Sequence, residues 1–121
     1  MSAAERISEI EGTVISNARA DDALETAIVA ALRTVRDPEI PLNIYDLGLI
    51  YRIDIGAHEF VGIDMTLTAP GCPVAGQIVE DVKNAVQSVE GVAAAIVNLV
   101  FEPPWTQDRM SEAAQLELGL V

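Results

Sequence analysis

Apolar residues recur along the first third of this chain at the spacing that is typical of an amphipathic helix. Asp22 and Glu25 resemble a capping box, and the apolar positions after them follow a period of 3.6 residues. The pattern predicts a helix that ends at Asp37, because a residue before proline avoids helical backbone angles. Its apolar face would consist of Leu24, Ala27, Ile28, Ala31, Leu32 and Val35.

Strict alternation of apolar and polar residues follows in two neighbouring segments. Residues 49–55 and residues 61–68 each present one strongly apolar side, which is typical of half-buried strands. Residues 56–59 between them are interpreted as a hairpin loop. We therefore expect the two strands to pair antiparallel.

The second half of the chain returns to helical spacing and then to a strand. A stripe of Val and Ile from Val74 to Val89 predicts a helix, and Gly91 is placed to end it in a left-handed conformation. Residues 92–101 predict a third strand that is more buried than the first two. Thr106 or Ser111 would cap a last short helix.

This order of elements, α-β-β-α-β-α, predicts an α+β fold. We expect a two-layer sandwich in which a small three-stranded mixed sheet carries helices mainly on one face. Residues 1–20 have only diluted helical spacing and are expected to form an N-terminal arm or a short helix. Residues 21–121 are expected to form a single domain. The pattern leaves the strand order open.

The composition adds an aliphatic core and a strongly negative net charge to this picture. Half of the 121 residues are hydrophobic but only 4% are aromatic, so an aliphatic core is expected. Nineteen acidic residues against seven basic ones give a net charge of -12. Nucleic acids and anionic membranes attract clustered Lys and Arg, so this balance argues against both as partners.

Export signals are not apparent in the sequence. No apolar run reaches the length of a membrane span, and Glu5, Glu9 and Glu11 stand where a secretory signal has a basic start and an apolar block. One cysteine cannot form an intrachain disulfide, so the fold does not rely on an oxidising compartment. We expect a cytoplasmic protein.

The single cysteine, Cys72, is the most distinctive candidate for chemistry. Pro73 is favoured in a first helical turn, which makes Cys72 the expected cap of the second helix. Backbone N–H groups and the helix dipole would then favour a thiolate, the form that binds metal. Thr66 and Thr68 lie on the polar side of the preceding strand, where their hydroxyls can reach this loop. A buried structural cap and cross-strand threonine pairing are the alternatives.

Two carboxylates form a second candidate. Asp37 and Glu39 lie two residues apart in a proline-stiffened segment and can bind a metal or accept protons, or instead cap turns. His58 is expected to be a solvated loop residue and not a catalytic partner for Cys72. Trp105 is interpreted as a wedge that closes the core or as an anchor for a partner. The sequence contains no CxxC, no HxxxH and no glycine-rich phosphate loop. It therefore predicts neither a closed zinc site nor a nucleotide site.

Three segments in order resemble the SufT-type iron–sulfur cluster assembly factors. They are DPEIPLNIYDLGLIY (37–51), MTLTAPGCP (65–73) and LVFEPPW (99–105) followed by MSEAAQLELGL. This group includes the PaaD-like proteins and is related more distantly to the C-terminal scaffold domain of NifU. The resemblance covers residues 22–121. It is closer to SufT than to PaaD, whose cysteine-rich tail is absent, which disfavours a role in oxygenase maturation.

The resemblance implies an accessory factor for maturing iron–sulfur proteins, not an enzyme. Iron or a transiently bound iron–sulfur cluster is the implied cofactor, and scaffold or client proteins are the implied partners. A cluster usually has about four protein ligands, so one thiolate needs help from carboxylates, a small thiol or a partner. A homodimer, which would supply two thiolates, is a further expectation.

The same resemblance assigns the site residues by position. The motif cysteine, which is the expected metal ligand, falls on Cys72, and the motif loop after the Asp-Pro-Glu segment is expected to lie close to it. The residues expected at the cofactor site are Cys72, Thr68, Asp37, Glu39, Asn43 and Asp46.

Two other hypotheses stay open. In the first, the protein is an adaptor that binds no metal, Cys72 is structural, and the acidic surface and Trp105 recruit scaffold or client proteins. In the second, Cys72 is the nucleophile of a thiol enzyme. That hypothesis lacks a well-placed base, because His58 is expected in a distant loop.

Overall fold

The structure, a computed structural model, describes residues 6–10, 13–18, 21–37, 40–56, 58, 60–68 and 75–119. Along the described residues, two β-β-α units are followed by a fifth strand and a last helix, and a short 3-10 turn, Gln107–Arg109, precedes that helix. In chain order the elements are β1 (Arg6–Ile10), β2 (Thr13–Asn17), α1 (Asp22–Leu32), β3 (Ile50–Ile55), β4 (Phe60–Met65), α2 (Ala75–Gln87), β5 (Ala94–Leu99) and α3 (Glu112–Glu117).

The strands form one mixed sheet in the order β1-β2-β3-β4-β5. β1 pairs antiparallel with β2, and β3 pairs antiparallel with β4. The β2–β3 and β4–β5 pairs are parallel. The predicted α+β class, the mixed sheet and the antiparallel hairpin are confirmed. The predicted count of three strands is wrong, because the described sheet has five.

The two additional strands come from the segment that was expected to be an arm or a short helix. Residues 6–10 and 13–17 are strands instead, and β2 lies beside β3. Within β2, Thr13, Ile15 and Asn17 are buried. The Thr13 Oγ1 hydroxyl also donates a hydrogen bond to the Ile50 carbonyl at 2.7 Å. Pairing with β3 and burial of alternate side chains therefore override the weak helical spacing of this segment.

One face of the sheet packs against helices. Alternate residues of β3 and β4, such as Ile53 and Ile63, are fully buried. α2 packs on β5, and α1 packs beside α2. Asp21 caps α1 by accepting the Leu24 N–H at 3.0 Å, one position before the predicted Asp22. The residues of α1 and α2 buried in this core are Leu24, Ile28, Leu32, Ile78, Val82 and Val86.

The predicted burial of the third strand is wrong. β5 is an edge strand, and Ile96 and Leu99 are 61% and 37% exposed. A continuous apolar run is typical of a strand with both faces covered, but within β5 only Ala95 is buried, and Ile96 lies on the opposite, exposed face. Gly91 takes the predicted left-handed φ of 98°, but α2 already ends at Gln87, four positions before it. Ser111, one of the two predicted caps, caps α3. Among the described residues, no helix has the length and apolarity needed to cross a bilayer.

Candidate functional site

The sheet topology brings the segment 37–51 and the described part of the segment 65–73 to one end of the sheet. β3 runs antiparallel to β4, so the start of β3 lies beside the end of β4. The segment 37–49, called the motif loop here, leads into β3, and residues 66–68 leave β4 at the same place. The Thr66 N–H donates to the Leu49 carbonyl at 2.9 Å. We call this end of the sheet, where the motif loop meets residues 66–68, the motif end.

Asp37 shapes the start of the motif loop. Asp37 is buried, with only 7% of the residue exposed. The Asp37 Oδ1 accepts the Ile40 N–H at 3.0 Å, and the Asp37 N–H donates to the Leu42 carbonyl at 3.1 Å. Asp37 therefore caps a turn, which is the alternative to a metal role that the sequence left open for this carboxylate. Glu39, the other carboxylate of the motif, lies outside the described residues.

Asn43 and Asp46 hold the middle of the motif loop by binding each other. The Asn43 Nδ2 donates to Asp46 Oδ2 at 2.8 Å, and the Asp46 N–H donates to Asn43 Oδ1 at 2.8 Å. The Arg33 Nε on α1 also donates to Asp46 Oδ1, at 3.4 Å. The Asp46 carbonyl accepts the Ser111 N–H at 2.9 Å. These contacts tie the loop to α1 and to the start of α3.

The C-terminal segment crosses the motif loop at Leu47 and Gly48. The Trp105 Nε1 donates to the Leu47 carbonyl at 2.7 Å, and the half-buried Trp105 ring packs against the core. Gly48 has a φ of +79°, and a Cβ there would lie 2.1 Å from the Arg109 carbonyl oxygen. Only glycine allows this approach. The contacts of Trp105 match its interpretation as a wedge.

Tyr51 forms a second contact with the C-terminal segment, which the sequence analysis missed. Its hydroxyl donates to the Pro103 carbonyl at 2.7 Å, and the Arg109 guanidinium lies 4.0 Å from the ring centroid. Burial raises the pKa of the Tyr51 hydroxyl, while the charge of Arg109 and hydrogen bonds to Arg109 and Thr66 oppose that rise. The hydroxyl is therefore a stable donor at neutral pH. Nothing in the local sequence signals this contact, because its partners lie far along the chain.

Thr66 and Thr68 lie on the approach to Cys72. Thr66 is 1% exposed, and Thr68 is half-buried as the last described residue before 69–74. Cys72 lies outside the described residues. In the sequence, Cys72 comes four positions after Thr68.

Two further predictions concern metal and catalytic groups. His58 is exposed in the turn between β3 and β4, which is the end of the sheet opposite the motif end. This position agrees with the expectation that His58 is a solvated loop residue. In the part of the chain that the structure describes, no three His, Cys, Asp or Glu side chains come together as a metal site. The described residues do not form a complete ligand set for a metal.

A groove of about 300 Å³ lies between α1 and Tyr45 of the motif loop. Arg33 covers the Tyr45 ring in it, with its guanidinium 5.0 Å from the ring centroid. None of the predicted site residues lines this groove. Its lining consists of Glu25, Thr26, Val29, Ala30, Arg33 and Tyr45.

Known proteins resemble this chain in sequence and in structure. A family model described as iron–sulfur cluster assembly protein matches residues 25–98. A Porphyromonas gingivalis protein named Fe-S protein maturation auxiliary factor is 59% identical over 97 residues, which cover 80% of this chain and 92% of that protein. The Bacillus subtilis protein named Fe-S protein maturation auxiliary factor YitW is 42% identical over 100 residues, which cover 83% of this chain and 98% of that protein.

A solved structure also resembles this chain. The crystal structure of a domain of unknown function from Bacillus anthracis matches with a TM-score of 0.78 and 42% identity, covering 87% of this chain and 100% of that chain. The family model begins inside α1, after the β1–β2 hairpin, and ends inside β5. The chain belongs to the family of iron–sulfur cluster assembly proteins, as the SufT-type resemblance of its motifs predicted.

Proposed function

We propose that this protein is an accessory factor in iron–sulfur cluster assembly or in the maturation of iron–sulfur proteins, and that it is not an enzyme. The names of its relatives and its family membership support this role. The single structural observation that carries the proposal is the meeting of the two motifs at one end of the sheet. The Thr66–Leu49 hydrogen bond joins the strand that leads to Cys72 with the loop that carries Asp37, Asn43 and Asp46.

In this proposal iron or an iron–sulfur cluster is the cargo, and Cys72 is its thiolate ligand. The chain has one cysteine, whereas a cluster usually takes about four protein ligands. Other ligands must therefore come from a second chain, a small thiol or a partner protein. Incomplete ligation by one chain suits transfer, because a weakly held cluster leaves easily.

Asp37, Asn43 and Asp46 act as positioning residues in this proposal. Their described contacts are with the backbone and side chains of the protein itself, and these contacts fix the shape of the motif loop. Thr68 would act at the exit of β4, next to the segment that contains Cys72. Glu39 is proposed to order the same region through its carboxylate.

The proposed partners are iron–sulfur scaffold proteins or client proteins in the cytoplasm. The net charge of -12 favours protein surfaces that carry basic residues and disfavours nucleic acid. A homodimer is compatible with the need for further ligands. These partners would complete the coordination that one Cys72 thiolate begins.

A complementation experiment tests the proposal. Host cells that lack the native gene would express the wild-type protein, Cys72→Ser, or the double variant Cys72→Ser with Ser88→Cys. Ser88 is exposed in the turn after α2, so the double variant restores a thiol at a different place. We expect the wild type alone to restore the activities of iron–sulfur enzymes, with cluster-free enzymes in the same extracts unchanged. Full rescue by Cys72→Ser would contradict the ligand role.

An adaptor that binds no metal is the second candidate. The observation that favours it is that the side chains of Asp37, Asn43 and Asp46 make hydrogen bonds within the protein. The adaptor predicts that Cys72→Ser keeps partner binding and activity. Changes in the motif loop or at Trp105 would then cause the loss of both.

A further inference from the structure

The free edge of β5 has the features of a strand that accepts a neighbour. Edge strands are usually protected by charged residues, proline or a bulge. β5 contains no charged residue and no proline, and it pairs with β4 in continuous register from Ala94 to Leu99. Ile96 is 61% exposed and Leu99 is 37% exposed. In the described sheet, no strand lies on the outer side of β5.

The backbone groups of β5 show which part of this edge is open. The Val100 N–H donates to the Met65 carbonyl, and backbone direction alternates along a strand, so odd-numbered residues direct their N–H and C=O groups away from β4. Gln87 already occupies the first of these positions, because its Oε1 accepts the Ala95 N–H at 3.1 Å. The open backbone groups are therefore those of Val97 and Leu99.

The charges around the edge indicate the kind of segment that fits it. Residues 84–108 contain no Lys or Arg, and the exposed Glu90 and Glu102 stand before and after β5. An apolar strand flanked by basic residues would complement this arrangement. A second copy of this chain, paired antiparallel, would bring Glu90 near Glu102 of its neighbour. Like charges therefore disfavour self-pairing.

We propose that the β5 edge binds an extended segment of a partner protein, which adds to the sheet as a further strand. The segment has alternating apolar residues and Lys or Arg at its flanks. It pairs with Val97 and Leu99, in the half of the edge nearest the motif end, because β5 ends there beside β4. This docking surface goes beyond the proposed function and does not depend on Cys72.

A peptide-binding experiment on the full chain tests this surface. The probe is the fluorescein-labelled peptide KKTVTVTKK, and the matched control peptide is EETVTVTEE. We expect the basic peptide to bind about tenfold more tightly than the acidic one and to bind more weakly as salt is added. Amide NMR shifts are expected to concentrate on Val97 and Leu99.

Two pairs of variants locate the binding to the edge. Val97→Pro removes an outward N–H without removing a bond to β4, and Val97→Thr keeps that N–H. We expect Val97→Pro to weaken peptide binding about tenfold or more and Val97→Thr to change it about twofold or less. If Val97→Pro does not fold, Ile96→Lys at an exposed side chain replaces it, with Ile96→Thr as its control.

The outcomes separate this proposal from the others. Cys72→Ser is expected to bind the peptide as the wild type does, so failure of the cysteine proposal leaves this result untouched. Equal binding of both peptides, or equal binding by both members of a variant pair, would overturn the proposal. A dimer that sedimentation detects and Val97→Pro dissociates would assign the edge to a second copy and would also overturn it.

Discussion

The motif loop and the β5 edge adjoin the same end of one sheet but use their polar groups in opposite ways. In the motif loop, Asp37, Asn43 and Asp46 bind the loop backbone or one another. At the edge, the outward backbone groups of Val97 and Leu99 remain open. The difference teaches that the loop is fixed by contacts within the protein, whereas the edge gains hydrogen bonds only from a neighbour.

The largest expected effect concerns Gly48 in the motif loop. Gly48→Ala places a Cβ 2.1 Å from the Arg109 carbonyl oxygen at a φ of +79°. We expect a loss of roughly 2–5 kcal/mol in the free energy of unfolding, from backbone strain and the clash together. Urea unfolding measures it. Gly76→Ala in α2 is the control, because a Cβ there meets no atom within 4 Å.

The Gly76 control should move stability in the other direction. Alanine in a helix is more favourable than glycine by about 0.5–1 kcal/mol, so Gly76→Ala is expected to stabilise the protein slightly. Equal destabilisation by both variants would contradict the account of a tight crossing between the motif loop and the C-terminal segment.

The next largest effect concerns the mutual contacts of Asn43 and Asp46. Each alanine variant is expected to lose about 1–2 kcal/mol of stability, because partly buried polar groups lose their partners. A double-mutant cycle should give a coupling free energy of about 1 kcal/mol. Additive losses would contradict a shared structural role. If the variants kept their stability but bound iron differently, that result would instead favour the expectation from the sequence that Asn43 and Asp46 lie at the cofactor site.

Much of the fold could be predicted because its long elements are periodic. The apolar spacing that begins at Leu24 and the alternation of 49–55 depend on local sequence, and both elements form, although α1 ends at Leu32 and not at the predicted Asp37. The β1–β2 hairpin was missed because its strands are stabilised by pairing with β3. Burial of 92–101 was mispredicted because an apolar run does not reveal whether both faces of a strand are covered.

The candidate site could be predicted only in part for the same reason. The motifs gave Asp37, Asn43 and Asp46, whose side chains shape one loop in the structure. The Tyr51–Arg109 contact depends on where the C-terminal segment crosses the sheet, so no local pattern predicts it. The roles of Cys72 and Glu39 stay predictions, because both lie outside the described residues.

A smaller effect is expected at Tyr51, which joins the motif end to the C-terminal segment. Tyr51→Phe removes the hydrogen bond to the Pro103 carbonyl and should cost about 1 kcal/mol at neutral pH. Because burial raises the pKa of Tyr51 in the folded state, this hydroxyl stabilises the protein fully below the unfolded pKa of about 10. The stabilisation is lost as the pH rises through the folded pKa.

Alkaline unfolding checks the sign of that effect. Urea unfolding at pH 8 and above pH 10 should show a gap between wild type and Tyr51→Phe that shrinks with pH. Absorbance of tyrosinate in both proteins identifies the titration of Tyr51. A gap that widens with pH would contradict the raised pKa.

The smallest effect on stability is expected at Gln87. Gln87→Ala releases the Ala95 N–H at the β5 edge and should cost about 0.5 kcal/mol or less, because the lost bond is partly solvated. The same change lengthens the open edge, so KKTVTVTKK should bind the variant more tightly. Weaker peptide binding would contradict the assignment of Gln87 as a cap that shortens the docking surface.

The measurement that tests the central claim most directly is anaerobic reconstitution with iron and sulfide. Visible absorption and iron content per chain would be compared among the wild type, Cys72→Ser, and Cys72→Ser with Ser88→Cys. The account predicts an iron–sulfur chromophore in the wild type that is lost in both variants. Equal iron in Cys72→Ser, or recovery by the thiol at position 88, would contradict Cys72 as the ligand and would favour the adaptor.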